Sequence, residues 1–87
     1  MCKLFRIYTS DKNRRAVLRL AADKFESFTL HPATGFYRGQ PEESLMIELV
    51  QVKEQDVEAL AQSIRELNGQ KSVLVVSLHA DTQNAAR

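Results

Sequence analysis

Apolar residues along this chain recur with two different periods, and the changeovers between them mark the elements. Cys2 to Thr9 is short, β-rich and mostly apolar, which predicts a strand. Ser10-Asp11-Lys12-Asn13 then supplies turn and N-cap chemistry. Val17, Leu20, Ala21 and Phe25 fall at i, i+3, i+4 and i+8, one stripe of a helix running from about Asn13 to about Phe25, with Lys12, Arg15 and Arg19 on its outer side. Ser27 to Leu30 predicts a second strand. Pro32 lacks the N–H that a central strand donates, which assigns this strand to a sheet edge or a bulge. Thr34 to Gly39 continues it as a hairpin arm, with a bulge expected at Gly35 and the turn at Gly39-Gln40-Pro41-Glu42. Ser44 to Val52 is the third strand, with Leu45, Ile47 and Leu49 on one face and Met46, Glu48, Val50 and Val52 on the other. Val57, Leu60, Ala61, Ile64 and Leu67 form the stripe of a second helix, which Asn68-Gly69 ends. Ser72 to His79 is the fourth strand, almost continuously apolar.

The order β-α-β-β-α-β is the split βαβ signature. It predicts an α+β, ferredoxin-like domain over residues 1–80: a four-stranded antiparallel sheet with two helices on one face. Right-handed crossovers put strands one and three in the centre and strands two and four at the edges, in agreement with Pro32. Residues 81–87 carry nothing apolar larger than alanine and read as a flexible C-terminal tail.

Two helices cover one face of such a sheet, so the other face of a monomer should be polar. Here it is not. With Phe5, Ile7, Leu45, Ile47 and Leu49 toward the helices, Leu4, Tyr8, Met46 and Val50 are left on the far side, and strand four adds an apolar row from either parity. Arg6 and Glu48 interrupt the patch and are placed to pair across adjacent strands. A patch of this kind on a small protein marks an interface, so self-association is expected through Leu4, Arg6, Tyr8, Met46, Glu48 and Val50. A two-fold dimer is the simplest closed form.

Composition narrows the remaining choices. The chain has 87 residues, enough for one core. Lys+Arg 12 against Asp+Glu 11 leaves a net charge of +1, so no global field draws it to nucleic acid. Runs such as Val73 to Val76 fall far short of the ~20 apolar residues of a membrane span, and the charges at Lys3 and Arg6 break any signal-peptide core. A single cysteine cannot form an internal disulfide, which makes a reducing cytoplasm the expected setting.

Catalytic signals are weak, and neither an enzymatic role nor a metal or other cofactor is expected. Cys2 has no local base, His31 and His79 are far apart without a further ligand at metal-binding spacing, and the adjacent Glu42 and Glu43 point to opposite faces of their strand. Two stretches hold more interest. The first helix start, with Ser10, Lys12, Arg14 and Arg15, is a candidate anion site through its unpaired N–H groups, and Thr9 and Lys53 are expected nearby. Gly35-Phe36-Tyr37-Arg38-Gly39 places two aromatics and an arginine on the hairpin arm, the residue types that anchor interfaces.

Phe25-x-x-Phe28-Thr29, Gly35-Phe36-Tyr37-x-Gly39-x-x-Glu42-x-Ser44-Leu45 and Asn68-x-Gln70-x-Ser72-Val73 together resemble a group of small uncharacterised bacterial and phage-type proteins. That resemblance implies the same fold and directs attention to Thr34, Gly35, Tyr37, Gly39, Glu42, Ser44 and Gln70. The architecture also looks like the nitrogen-signalling PII proteins, whose ligands bind between subunits, and like the small CRISPR adaptation nucleases, which place an aspartate where Asp11 stands. The expected function is therefore a homo-oligomeric regulatory module holding a small anionic ligand or nucleotide at a subunit junction. Its binding residues would be Thr34, Phe36, Tyr37, Arg38, Glu42, Ser44 and Gln70. The alternatives are a protein-binding adaptor or inhibitor using the aromatic arm, and a metal-dependent nuclease using Asp11.

Overall fold

A computed structural model describes residues 2–80; the expected tail at 81–87 and the side chains of Cys2 and Ala80 lie outside the described residues. The elements are β1 (Cys2–Ser10), α1 (Arg14–Lys24), β2 (Thr29–Tyr37), β3 (Gln40–Val50), α2 (Glu54–Asn68) and β4 (Leu74–Ala80). The strands form one antiparallel sheet in the order β2-β3-β1-β4, which is the ferredoxin-like arrangement expected from the pattern.

The apolar stripes meet where the periodicity puts them. Phe5 and Ile7 of β1 and Ile47 and Leu49 of β3 are buried against Val17 and Ala21 of α1 and Val57, Leu60, Ala61 and Ile64 of α2. Val73 and Val75 pack against the same core, which settles the parity of β4: Leu74, Val76 and Leu78 lie on the far face. Leu67 departs from the expected stripe. It is 40% exposed, while Asn68, four residues beyond Ile64, takes the buried position. A helical turn of 3.6 residues makes i+4 as good a continuation as i+3.

The two helix starts use different chemistry. Asn13 precedes α1 in the left-handed conformation, and its carbonyl accepts the Val17 N–H at 2.9 Å. In α2, Glu54 and Asp56 in the first turn complement the helix dipole. That helix ends at Gly69, whose φ of 64° permits the left-handed turn that closes the Gln70 N–H on the Arg65 carbonyl at 3.0 Å.

The hairpin corrects three sequence expectations. The β2–β3 register runs unbroken from Thr29↔Glu48 to Tyr37↔Gln40, so there is no bulge at Gly35. Glycine is required there by proximity, because a Cβ would lie 3.3 Å from the Ser44 hydroxyl. The turn is the two-residue Arg38-Gly39, both with positive φ, rather than Gly39 to Glu42. Gln40-Pro41 therefore belongs to β3, where β1 has already ended at Ser10↔Ser44, and the missing proline N–H leaves no neighbour unpaired. Pro32 lies within β2, on the sheet edge as expected.

Candidate functional site

The sheet face away from the helices is built of cross-strand rows. His31, Met46, Tyr8 and Leu74 form one row; Thr29, Glu48, Arg6 and Val76 form the next; Val50, Leu4 and Leu78 complete the apolar end. Val50 is 47% and Leu74 60% exposed, an unusual outlay of apolar surface for so small a chain. Arg6 crosses the middle and donates to Glu48 Oε2 at 3.0 Å. This contact, followed by the neighbouring Tyr8, holds the guanidinium pKa above its ordinary value. The expected Arg6–Glu48 pair is thus present, on the face rather than beneath it.

At one rim of this face, where β1 ends and β3 and β4 begin, lies a cleft of about 290 Å³. Tyr8, Ser10, Ser44, Glu42 and Leu74 line it from the sheet; Gln70 and Ser72 close it from the α2–β4 connection. Thr9 contributes from the helix side of β1, where it is buried. The lining is rich in hydroxyls and holds a carboxylate, with no lysine, arginine or histidine among the described residues.

Behind the cleft runs a chain of side-chain hydrogen bonds. The Asn13 amide donates to Asn68 Oδ1 at 3.1 Å. Asn68 Nδ2 donates in turn to Thr9 Oγ1 at 3.5 Å and to Gln70 Oε1 at 3.3 Å. The Thr9 hydroxyl donates to Gln70 Oε1 at 2.5 Å. The start of α1, the end of α2 and the end of β1 are tied to one side chain in the cleft.

The structure gathers some of the sequence-selected residues and separates others. Glu42, Ser44, Gln70 and Ser10 converge on the cleft. Thr34 is exposed and pairs across the hairpin with Glu43. Phe36, Tyr37 and Arg38 sit at the arm tip, away from the cleft; Phe36 is 73% and Tyr37 61% exposed, and the Arg38 guanidinium lies 5.3 Å from the Tyr37 ring centre. The anion site does not assemble. Arg14 turns back to hold both oxygens of Asp11, Lys12 and Arg15 point to solvent, and Ser10 faces the cleft instead. Lys53 is at the opposite end of the sheet, because β1 and β3 are antiparallel; Lys3 there reaches Glu54 at 3.5 Å. Arg14 also holds the Asp11 carboxyl below its ordinary value through that hydrogen bond, which leaves Asp11 committed within its own chain. No group of three or more His, Cys, Asp or Glu placed to hold a metal occurs among the described residues. No helix among them is long and apolar enough to cross a membrane. A larger groove, about 400 Å³, runs between the helices past Leu20 and Leu67, and it contains none of the sequence-selected residues.

Sequence reading missed Thr9 and Asn68 as a pair. The signal was available: each is a polar residue at a helix-facing or core-facing position of an otherwise apolar stripe.

The open four-stranded sheet backed by two helices defines a ferredoxin-like protein with structural neighbours among PII-like proteins. No protein-family description and no curated protein sequence matches the chain. A DUF3240 family protein from Shewanella baltica OS155 superposes with a TM-score of 0.69 at 11% identity, over 99% of this chain and 97% of that one. CPII, a nitrogen regulatory PII-like protein from Thiomonas intermedia K12 bound to ADP, AMP and bicarbonate, gives 0.66 at 15% identity, over 98% and 96%. A phage SAM lyase in its apo state gives 0.64 at 19% identity, over 87% and 78%. At these identities the likeness is one of fold.

Proposed function

We propose that this chain is a self-associating binding module whose ligand occupies the rim cleft, with a second copy on the uncovered sheet face supplying the missing wall. One observation carries this reading: Tyr8, Ser44 and Leu74 belong both to the cleft and to the face. Covering the face therefore completes the cleft, and filling the cleft stabilises the covered state. The ligand meets hydroxyls and the Glu42 carboxylate, so the portion it inserts is neutral or cationic, in place of the anion expected from the sequence. The PII-like neighbour is bound to ADP, AMP and bicarbonate and the lyase neighbour is named for S-adenosylmethionine, so an adenosine-bearing ligand is the first to test. We read the module as non-catalytic and regulatory.

The test is thermal-shift titration with adenosine, AMP, ADP and S-adenosylmethionine, run beside analytical ultracentrifugation. A saturable shift accompanied by tighter self-association supports the module. No shift, together with capture of another protein that Tyr37→Ala and Arg38→Ala both abolish, reassigns the chain to an adaptor. Metal-dependent nuclease activity lost in Asp11→Asn would overturn both.

A second reading is favoured by the placement of Glu42, the one carboxylate among the cleft-lining residues, together with the likeness to the phage SAM lyase. In this reading the same cleft cleaves S-adenosylmethionine. Chromatography of S-adenosylmethionine incubated with the protein decides between them: conversion above the buffer rate that is lost in Glu42→Gln makes the module an enzyme.

A further inference from the structure

Every acceptor site on the Gln70 carbonyl is already filled from within the protein. Oε1 receives the Thr9 hydroxyl at 2.5 Å and Asn68 Nδ2 at 3.3 Å, which uses both of its lone pairs. Asn68 is oriented with its own Oδ1 accepting from Asn13 at 3.1 Å and its Nδ2 spanning the two oxygens. Asn68 is 8% exposed, so turning its amide alone, with Asn13 and Gln70 as they stand, would leave buried donors facing donors. Gln70 is thus held with its oxygen inward. Its amide nitrogen makes no hydrogen bond to another side chain among the described residues and is not a buried unpaired atom, which leaves it available to the cleft that Gln70 lines.

We propose that Asn68 is a positioning residue that sets the polarity of the cleft: it fixes Gln70 as a hydrogen-bond donor, while Glu42 serves as an acceptor. This rests on the binding-module reading above and names the ligand's recognition pattern. A group that fits carries an acceptor for Gln70 and an N–H donor for Glu42. An aminopurine edge has that pattern, with a ring-nitrogen acceptor beside an exocyclic amine. A phosphate, which carries acceptors alone, opposes Glu42.

Two variants separate positioning from folding. Gln70→Glu retains an inward oxygen for Thr9 and Asn68 but replaces the outward N–H₂ with an oxygen. Asn68→Asp is nearly isosteric, yet its carboxylate accepts and draws the Gln70 N–H₂ inward. The probes are adenosine and purine riboside, which lacks the exocyclic amine, followed by calorimetry. Adenosine binding is expected to weaken roughly tenfold or more in Gln70→Glu and Asn68→Asp, the scale of one unmatched hydrogen bond, and purine riboside is expected to bind the unaltered protein more weakly by a similar factor. Side-chain amide NMR of the unliganded protein supplies a readout independent of any ligand. The Gln70 N–H₂ protons should exchange rapidly with water and those of Asn68 slowly, and Asn68→Asp should slow the Gln70 exchange. Slow exchange at Gln70 in the unaltered protein, or full adenosine affinity in Gln70→Glu, overturns the assignment. If adenosine fails to bind while the NMR pattern holds, the binding-module reading loses its adenosine ligand and the polarity of the cleft stands.

Discussion

Truncating Leu74 to alanine separates what the uncovered face does for association from what it does for folding. Complete burial of a leucine side chain is worth about 1.5–3 kcal/mol. Leu74 is 60% exposed in the single chain, so a partner that covers it gains roughly 1–2 kcal/mol from this residue. Alanine keeps about a quarter of the side chain's carbons, and a two-fold interface contains the residue twice. Leu74→Ala should therefore weaken association by about 1.5–3 kcal/mol, roughly a 10- to 150-fold rise in Kd. The share of Leu74 already buried within one chain is smaller, so folding stability measured by urea on the dissociated protein should fall by less than about 1 kcal/mol. Sedimentation velocity over a concentration series gives the first quantity and denaturation the second. A monomer at all concentrations refutes the reasoning outright. So does an unchanged Kd in Leu74→Ala, because the most exposed large aliphatic side chain on the face would then be making no contact.

Ile64→Ala should cost about 2–5 kcal/mol in urea unfolding, since Ile64 is fully buried between α2 and the sheet and its loss leaves a cavity. Gly69→Ala should cost about 1 kcal/mol, because φ at 64° is strained for any residue with a Cβ, and the displaced connection should weaken ligand binding through Gln70. The Asp11 carboxyl is held by Arg14 below its ordinary value of 3.8, so its contribution is present above that value and is lost as pH falls through the lowered one. Asp11→Asn should accordingly flatten the acid end of the stability profile, read by thermal melts between pH 5 and about 2.

The fold was legible because its two periods are clean. Phe5 and Ile7, Leu45, Ile47 and Leu49, and Val57, Leu60, Ala61 and Ile64 each point to one layer, and those layers meet. The hairpin was less legible, since Arg38 adopts a positive φ that its side chain does not favour. Its conformation follows from two long strands closing on Gly39, a constraint that local composition does not carry. Half of the candidate site was visible as separate residues: Ser10, Glu42, Ser44 and Gln70 were selected, but nothing in their spacing tells that they meet or that Tyr8 joins them. That juxtaposition comes from the β1–β3 register and from Gly69, both long-range or conformational facts. The grouping of Lys53 with the α1 start failed for the same reason, because antiparallel neighbours send their carboxyl ends in opposite directions.

Pro32 bears on how far assembly can go. The sheet has two open edges, β2 and β4, and an edge of one molecule could add to the opposite edge of the next to make an endless ribbon. A proline within β2 has no N–H to offer an incoming strand, and one obstructed edge is enough to stop a head-to-tail chain. The surface left open to contact is the uncovered face of the sheet, not its β2 rim. Growth of a filament by strand addition is thus obstructed by one residue on the outermost strand.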